Sequence, residues 1–379
     1  MRTVIHSARL VDDGRVTDDA WVRFDGGRVA EAGTGDGWRA RPADEAVDAR
    51  GGFLTPGFID LHGHGGGGAA YDDGPAAIRA ARAVHRAHGT TRAVLSLVAA
   101  PLDDLAARVA MIAELAASDA DILGSHLEGP FLDPAHKGAH DAALLALPTP
   151  AAVERLLAAG AVRQLTLAPE LPGGLDAIAR IVAAGAVAAV GHTGADAATA
   201  AAAFDAGATV LTHAFNAMPG LHHRRPGPVA AAVADPRVTL EVIADVVHLH
   251  PAMVRIAFAA APGRVALVTD AMAAAGDGDG RYSLGARAVD VVDGVARLAT
   301  DGTIAGSTLT QDAALRVAVG AGVPLADAVA ALTATPARAI GESALGSLHA
   351  GFLADAVLLD AELAVRAVWC AGERVRPLP

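Results

Sequence analysis

The residues of this 379-residue chain that can do chemistry are histidines and carboxylates, not thiols: fifteen histidines stand against a single cysteine, Cys370. His62 and His64 close the run Asp60-Leu-His-Gly-His64, and His126 and Glu128 sit two apart in His126-Leu-Glu-Gly-Pro130. His192 follows Gly191, His213 follows Thr212 twenty-one residues later, His248 stands three after Asp245, and Asp270 ends Leu267-Val-Thr-Asp270. Residues two apart on a strand project from one face, so His62 with His64, and His126 with Glu128, can share a centre. Imidazole and carboxylate donors without thiolate suit Zn²⁺, with Fe²⁺ or Mn²⁺ as alternatives, and open coordination positions suit hydrolysis. Taken singly, each histidine is more simply a satisfied polar residue. Their recurrence at the ends of successive apolar runs is what carries the metal reading. Asp270 alone reads as a helix cap; facing the same centre, it reads as a proton acceptor.

These side chains need elements to hold them. The first fifty residues read as short strands, Thr3–Val11, Trp21–Phe24 and Arg28–Glu31, separated by Asp-Asp-Gly and Asp-Gly-Gly turns. From Gly52 onward, apolar runs alternate with alanine-rich helical stretches, as expected of βα units on a parallel sheet buried on both faces. Eight runs are predicted as strands: Gly57–Leu61, Arg92–Val98, Ile122–Leu127, Gln164–Ala168, Val187–Gly191, Ala208–Thr212, Thr239–Ala244 and Arg264–Thr269. Helices are expected over Pro75–His88, Asp103–Ala117, Ala151–Ala159, Leu175–Ala184 and Asp196–Ala206. Eight such repeats predict an α/β fold, a (β/α)8 TIM-type barrel whose catalytic groups lie at the C-terminal strand ends. A hairpin (Arg281–Ala299), helices (Thr310–Ala321, Leu325–Ala334) and a β-rich tail (Leu348–Val375) should follow. Both chain ends are expected to form one small β-sandwich, residues 1–52 and 341–379, beside a barrel of residues 53–340.

Composition narrows the function. A formal charge of −12 argues against nucleic acid or an anionic membrane as partner. The most alanine-rich run, Ala197–Val210, contains Asp205 and is no membrane span. The start, Met1–Leu10, has charges within its apolar pattern and no signal-peptide core, and Cys370 has no internal partner for a disulfide. A cytoplasmic enzyme is expected. Lys137 is the only lysine, in the loop after the third strand.

The run Leu54-Thr-Pro-Gly-Phe-Ile-Asp60-Leu-His-Gly-His64 resembles the opening of the amidohydrolase superfamily, and Gly346–Asp360 resembles its closing β-domain. Within it, His126–Phe131, Gly191-His-Thr-Gly194, Thr212-His-Ala-Phe-Asn-Ala-Met-Pro219, Ile243–Asp245 and Leu267–Ala271 resemble the N-acetylglucosamine-6-phosphate deacetylases. The resemblance implies Glu128, His192 and His213 as principal metal ligands. Some members carry Gln-x-Asn in place of His62 and His64 and use one ion, so one or two divalent ions are implied here. Many two-metal relatives bridge their ions with a carbamylated lysine at strand four. Strand four here ends Leu167-Ala-Pro-Glu170, so no lysine can do so and Glu128 remains as the bridge.

The resemblance further implies substrate contacts at Ala139, His140, Asn216, Ala217 and His248, with Ile304, Ala305 and Gly306 closing over the substrate. It implies a homodimer in which Arg224 reaches the neighbouring site to grip phosphate, as the guanidinium fork allows. The expected substrate is an amino-sugar phosphate, N-acetyl-D-glucosamine 6-phosphate. Asp270 would act as general base and then acid, His140 as a donor to the oxyanion, and His126 as an orienting residue. Two rival readings are an amidohydrolase for N-acyl amino acids or an amine-bearing base, and a non-catalytic barrel scaffold.

Overall fold

Eight apolar runs become eight parallel strands in sequence order in the computed structural model, which describes residues 1–375. They are Phe58–Asp60, Thr90–Val98, Ile122–Glu128, Val162–Leu167, Val187–Val190, Val210–Leu211, Thr239–Ile243 and Val265–Val268, numbered here as barrel strands one to eight. Each coincides with an expected run. The second, seventh and eighth are buried along their whole lengths, so they are largely apolar rather than alternating, and the charged residues within them, Arg92 and Glu241, meet buried partners. The intervening helices start on local signals: Thr149 and Asp196 accept backbone N–H groups as N-caps, Pro150 follows the Thr149 cap in the same helix, and Pro75 and Pro251 open two others. No helix among the described residues is long and apolar enough to cross a membrane.

Strands one and eight do not pair as a ladder, and inserted groups close the seam between them. The buried Gln311 amide donates to the Ile59 carbonyl (2.9 Å) and the Leu267 carbonyl (3.3 Å), while its oxygen accepts the Thr90 hydroxyl (2.9 Å). In return the Ile59 and Leu267 N–H groups donate to the carbonyls of Leu332 and Ala331, each at 2.8 Å. Nearer the mouth, Asp60 accepts from the Thr269 hydroxyl at 2.6 Å and the Thr269 N–H at 3.2 Å.

The seam explains one departure from expectation. The helix expected over Leu325–Ala334 is two short helices, Leu325–Ala330 and Ala334–Ala339. Pro336 has no N–H to bond the Leu332 carbonyl, and strand one takes that acceptor instead. The expected hairpin is also different: Gly280–Leu284, Arg287–Val292 and Val295–Leu298 form a three-stranded antiparallel sheet. Its second turn is Asp293-Gly294, both with positive φ (52° and 73°), the pattern that a tight hairpin turn requires.

Strands from the two chain ends form one eight-stranded sheet. The segment Phe53–Pro56, leading into barrel strand one, pairs in parallel with Arg9 and Leu10 and antiparallel with Ala356–Leu359. Phe24 and Trp369 lie four strands apart in this sheet, roughly 19 Å if it were flat, yet their rings are 6.4 Å apart. The sheet therefore folds over on itself around Ile5, Val22, Leu54, Leu358 and Trp369, as a sandwich requires. Arg92, on strand two, ties it to the barrel through a buried two-point pair with Asp355 (2.5 and 2.8 Å).

Replacing Gln311 by Leu leaves two strand carbonyls buried without a donor, each at about 1–3 kcal/mol. Urea denaturation of Gln311→Leu should show a loss of about 2–5 kcal/mol; an unchanged midpoint would mean that the seam does not rest on this amide.

Candidate active site

The polar strand ends converge because the chain turns sharply there. His192, His213 and Asp270 follow strands five, six and eight with φ of 48°, 29° and 48°. That left-handed conformation costs an L-residue about 1–2 kcal/mol. The packed barrel holds it at three strand ends, with all three side chains lining one cavity.

At the centre lies the carboxylate of Glu128, from the end of strand three. Five imidazole nitrogens surround it: His62 Nε2 at 3.3 Å, His64 Nε2 and His140 Nε2 at 3.2 Å, His213 Nε2 at 3.1 Å and His192 Nε2 at 3.0 Å. Asp270 Oδ1 lies 3.2 Å from His64 and 3.5 Å from His62. Two groups, His62-His64-Glu128 and Glu128-His192-His213, each offer ligand atoms within 4.8 Å of one another.

The outer nitrogens of these rings sort their inner ones into two kinds. His62 Nδ1 donates to Glu241 (3.2 Å) and His192 Nδ1 donates to the His136 carbonyl (2.9 Å). In both rings Nε2 is therefore the nitrogen left to face the centre and to ligate a cation. Yet His62 Nε2 faces His64 Nε2 at 3.3 Å, and His192 Nε2 faces His213 Nε2 at 3.0 Å. Nitrogens this close need a proton or a cation between them. Donors of a tetrahedral ion with bonds of about 2.0–2.1 Å sit roughly 3.3 Å apart, so the set fits a divalent cation. His140 differs: its Nδ1 accepts the Ala99 N–H (3.3 Å), so its Nε2 carries the proton and is a donor.

Burial opposes a proton on His64, but Asp270 and Glu128 outweigh it and push the ring up to about 9; His62 is likewise held well above the usual imidazole range. Burial raises both carboxylates, yet the nearby imidazoles hold Glu128 and Asp270 below the ordinary carboxylate range. Burial pulls His140 and His213 down. A cation held by His62 and His64 would displace their protons, so its uptake would release protons.

Glu241, inside strand seven, was not anticipated. It is fully buried, accepts from His62 Nδ1, from the Gln164 side chain (2.8 Å) and from the His213 N–H (3.4 Å), and so braces two of the central histidines from different strands. The available signal was a carboxylate within the otherwise apolar Thr239-Leu-Glu-Val-Ile243. His126 is no ligand: its two nitrogens meet the Ser96 and Thr166 hydroxyls, each at 2.8 Å. It touches the centre only as a ring edge-on to His62, 4.7 Å between centroids.

A cavity of about 440 Å³ opens from this centre. Of the expected substrate residues, Ala139, His140, Asn216, Ala217, His248, Ile304 and Gly306 line it. Ala305 does not: it is buried, with its side chain in the small core beneath the three-stranded sheet. His248 is fixed by Asp245 (2.7 Å), which also raises its pKa against the opposing effect of burial. Ala135, His136, Gly138, Met218, Leu284 and Thr303 complete the wall without having been foreseen. Arg224 lies outside this cavity, exposed on the loop after strand six beside a separate hollow. Lys137 donates to the carbonyls of Gly138 and His140 (3.3 and 3.4 Å) and is no metal bridge.

Comparison with known proteins agrees with this geometry. Residues 53–375 match the amidohydrolase family. The chain is 38% identical to N-acetylgalactosamine-6-phosphate deacetylase of Escherichia coli O157:H7, over 98% of this chain and 99% of the relative. It is 37% identical to the human N-acetylglucosamine-6-phosphate deacetylase, over 97% and 94% of the two chains. Among solved structures, a mutant N-acetyl-D-glucosamine-6-phosphate deacetylase from Mycobacterium smegmatis, in complex with N-acetyl-D-glucosamine-6-phosphate, is similar with a TM-score of 0.94. That structure is 43% identical and covers 99% of each chain.

Carboxylates behind metal-bound histidines are worth roughly 10–100-fold in metal affinity. Glu241→Gln should therefore lose divalent metal to a competing chelator at 10–100-fold lower chelator concentration, with the far-UV circular dichroism unchanged. Equal retention would remove Glu241 from the centre.

Proposed function

The chain belongs to the amidohydrolase family, and from that premise we propose a metal-dependent deacetylase that converts N-acetyl-D-glucosamine 6-phosphate to D-glucosamine 6-phosphate and acetate. The observation that carries the reading is Glu128 among inward-facing imidazoles, with Asp270 on one side and the donor His140 on another. The likeness to relatives that deacetylate amino-sugar 6-phosphates supports the substrate class.

Glu128, His192 and His213 would hold one cation, and His62 and His64, with Glu128 as the bridge, a second. Zinc suits this imidazole and carboxylate set best, with iron or manganese as alternatives. When bound, the cation supplies a Lewis acid that polarises the acetyl carbonyl and lowers the pKa of water.

The chain's own groups supply the rest. Asp270 lies within the centre with its carboxylate ionised, ready to accept a proton. As the water oxygen bonds to the carbonyl carbon, Asp270 takes the proton. As the C–N bond breaks, it returns the proton to nitrogen, so acetate and the amine leave. His140 Nε2–H donates to the oxygen that gains charge. His248, braced by Asp245, and the Asn216 and Ala217 turn would receive the sugar phosphate. Ile304 and Gly306 also line the cavity.

The phosphate lacks a strong cationic partner here. Among the described residues, no arginine or lysine lines the cavity. That absence favours a homodimer in which Arg224 of a second copy completes the site.

Acetate release tests the reading, comparing N-acetyl-D-glucosamine 6-phosphate with its galactosamine epimer and with the unphosphorylated sugar. Preferred turnover of an N-acyl amino acid would overturn it. Asp270→Asn should lower kcat by about 10²–10⁴-fold while metal content, measured by elemental analysis, stays constant. Arg224→Ala should raise KM for the phosphorylated sugar tens-fold, since each charge-assisted bond is worth roughly 1.5–3 kcal/mol. Co-expressing the two variants should restore activity, because one site of each heterodimer then carries neither defect. Heterodimers without recovery would place Arg224 outside the partner's site.

A further inference from the structure

A second cavity, of about 400 Å³, lies in the sheet built from the two chain ends and shares no lining residue with the metal-centre cavity. The catalysis above does not use it. Its wall carries four arginines, Arg9, Arg50, Arg366 and Arg374, against two aspartates, Asp48 and Asp360. A local excess of two positive charges stands in a protein whose net charge is −12.

The aspartates are engaged with the backbone. Asp48 accepts the Arg50 N–H at 2.8 Å, and Asp360 accepts the N–H groups of Glu362 (3.1 Å) and Ala364 (2.8 Å). Among the described residues, none of the four guanidinium groups has a carboxylate within ion-pair distance. Arg9 uses its Nε for the Gly51 carbonyl (2.8 Å) and lies 3.7 Å over the Phe53 ring. Arg374 lies 5.8 Å over Trp369. Aromatic faces thus steady two of the four guanidinium groups, which reduces the ordering that binding would otherwise require.

Like charges gathered in a concave site repel one another unless an anion joins them. Guanidinium forks match the oxygens of phosphate, and several can share one phosphate group. The volume falls in the range of small-ligand sites. We propose that this cavity binds a phosphate-bearing small molecule through Arg9, Arg50, Arg366 and Arg374. The shared chemistry is the phosphate oxyanion, whether carried by a condensed inorganic phosphate or by a phosphorylated metabolite.

The test uses the full-length, metal-loaded protein and the double variant Arg50→Glu/Arg366→Glu, both of whose sites are exposed. Isothermal titration with inorganic pyrophosphate, and separately with D-glucosamine 6-phosphate, is run on both proteins. Binding at the metal centre occurs in each, so the difference between the isotherms isolates the arginine cavity. We expect a binding event in the native protein that is weakened at least tenfold in the variant and by added sodium chloride. Acetate release measured without added phosphate should be the same in both. A difference seen only with pyrophosphate identifies a condensed phosphate as the ligand, and one seen with the sugar phosphate identifies a phosphomonoester. Isotherms that coincide for both probes overturn the proposal. Arg50→Lys/Arg366→Lys guards against misfolding: it keeps the charge without the fork and should bind with intermediate affinity.

Discussion

A buried carboxylate that must be neutralised governs this molecule. Glu128 is 4% exposed, and ionised carboxylates at such depth survive only when paired or bound to metal. Its partners come from strand ends one, five and six and from the loop after strand three. No local segment could supply them. The barrel brings these ends within about 3 Å of a single group, and the left-handed turns at His192 and His213 are the strain accepted in doing so.

The same centre shows how identical side chains acquire different tasks. His62, His192 and His140 all aim Nε2 at Glu128, but what touches Nδ1 decides the chemistry. A carboxylate or a carbonyl behind the ring leaves Nε2 as the nitrogen that can ligate; a backbone N–H behind it fixes a proton inside. Donor and ligand are thus set from outside the cavity, by strand seven and by the loops after strands two and three.

Much of this was legible from residue order, for a physical reason. Parallel strands buried on both faces are continuous apolar runs, and Gly52 through Thr269 contains eight of them. Polar residues at their ends stand out, so the histidines and Asp270 are legible in residue order. What escaped depends on distant partners. Gln311 is an ordinary helix-start glutamine until strands one and eight are placed on either side of it. The break after Ala330 depends on strand one competing for the Leu332 carbonyl, although Pro336 was a local hint. Ala305 and Ile304 are neighbours in one loop, and only packing decides which faces the cavity. Glu241 could have been found, because a carboxylate in a buried strand needs a partner.

The sheet that joins the two chain ends has a bearing on how the protein is made. Leu54 pairs with Leu358, so the lead-in to barrel strand one meets that neighbour only after some 300 further residues are synthesised. At about 5–20 residues per second, the wait is roughly 15–60 s. During it, the segment bearing His62 and His64 has no finished sheet to anchor it, and Trp369, around which that sheet closes, has not left the ribosome. A nascent chain cut short before residue 356 would keep every inward-facing histidine and still lack the strand that holds the first two in register. The two histidines nearest the start of the barrel thus rest on a strand synthesised some 300 residues after them.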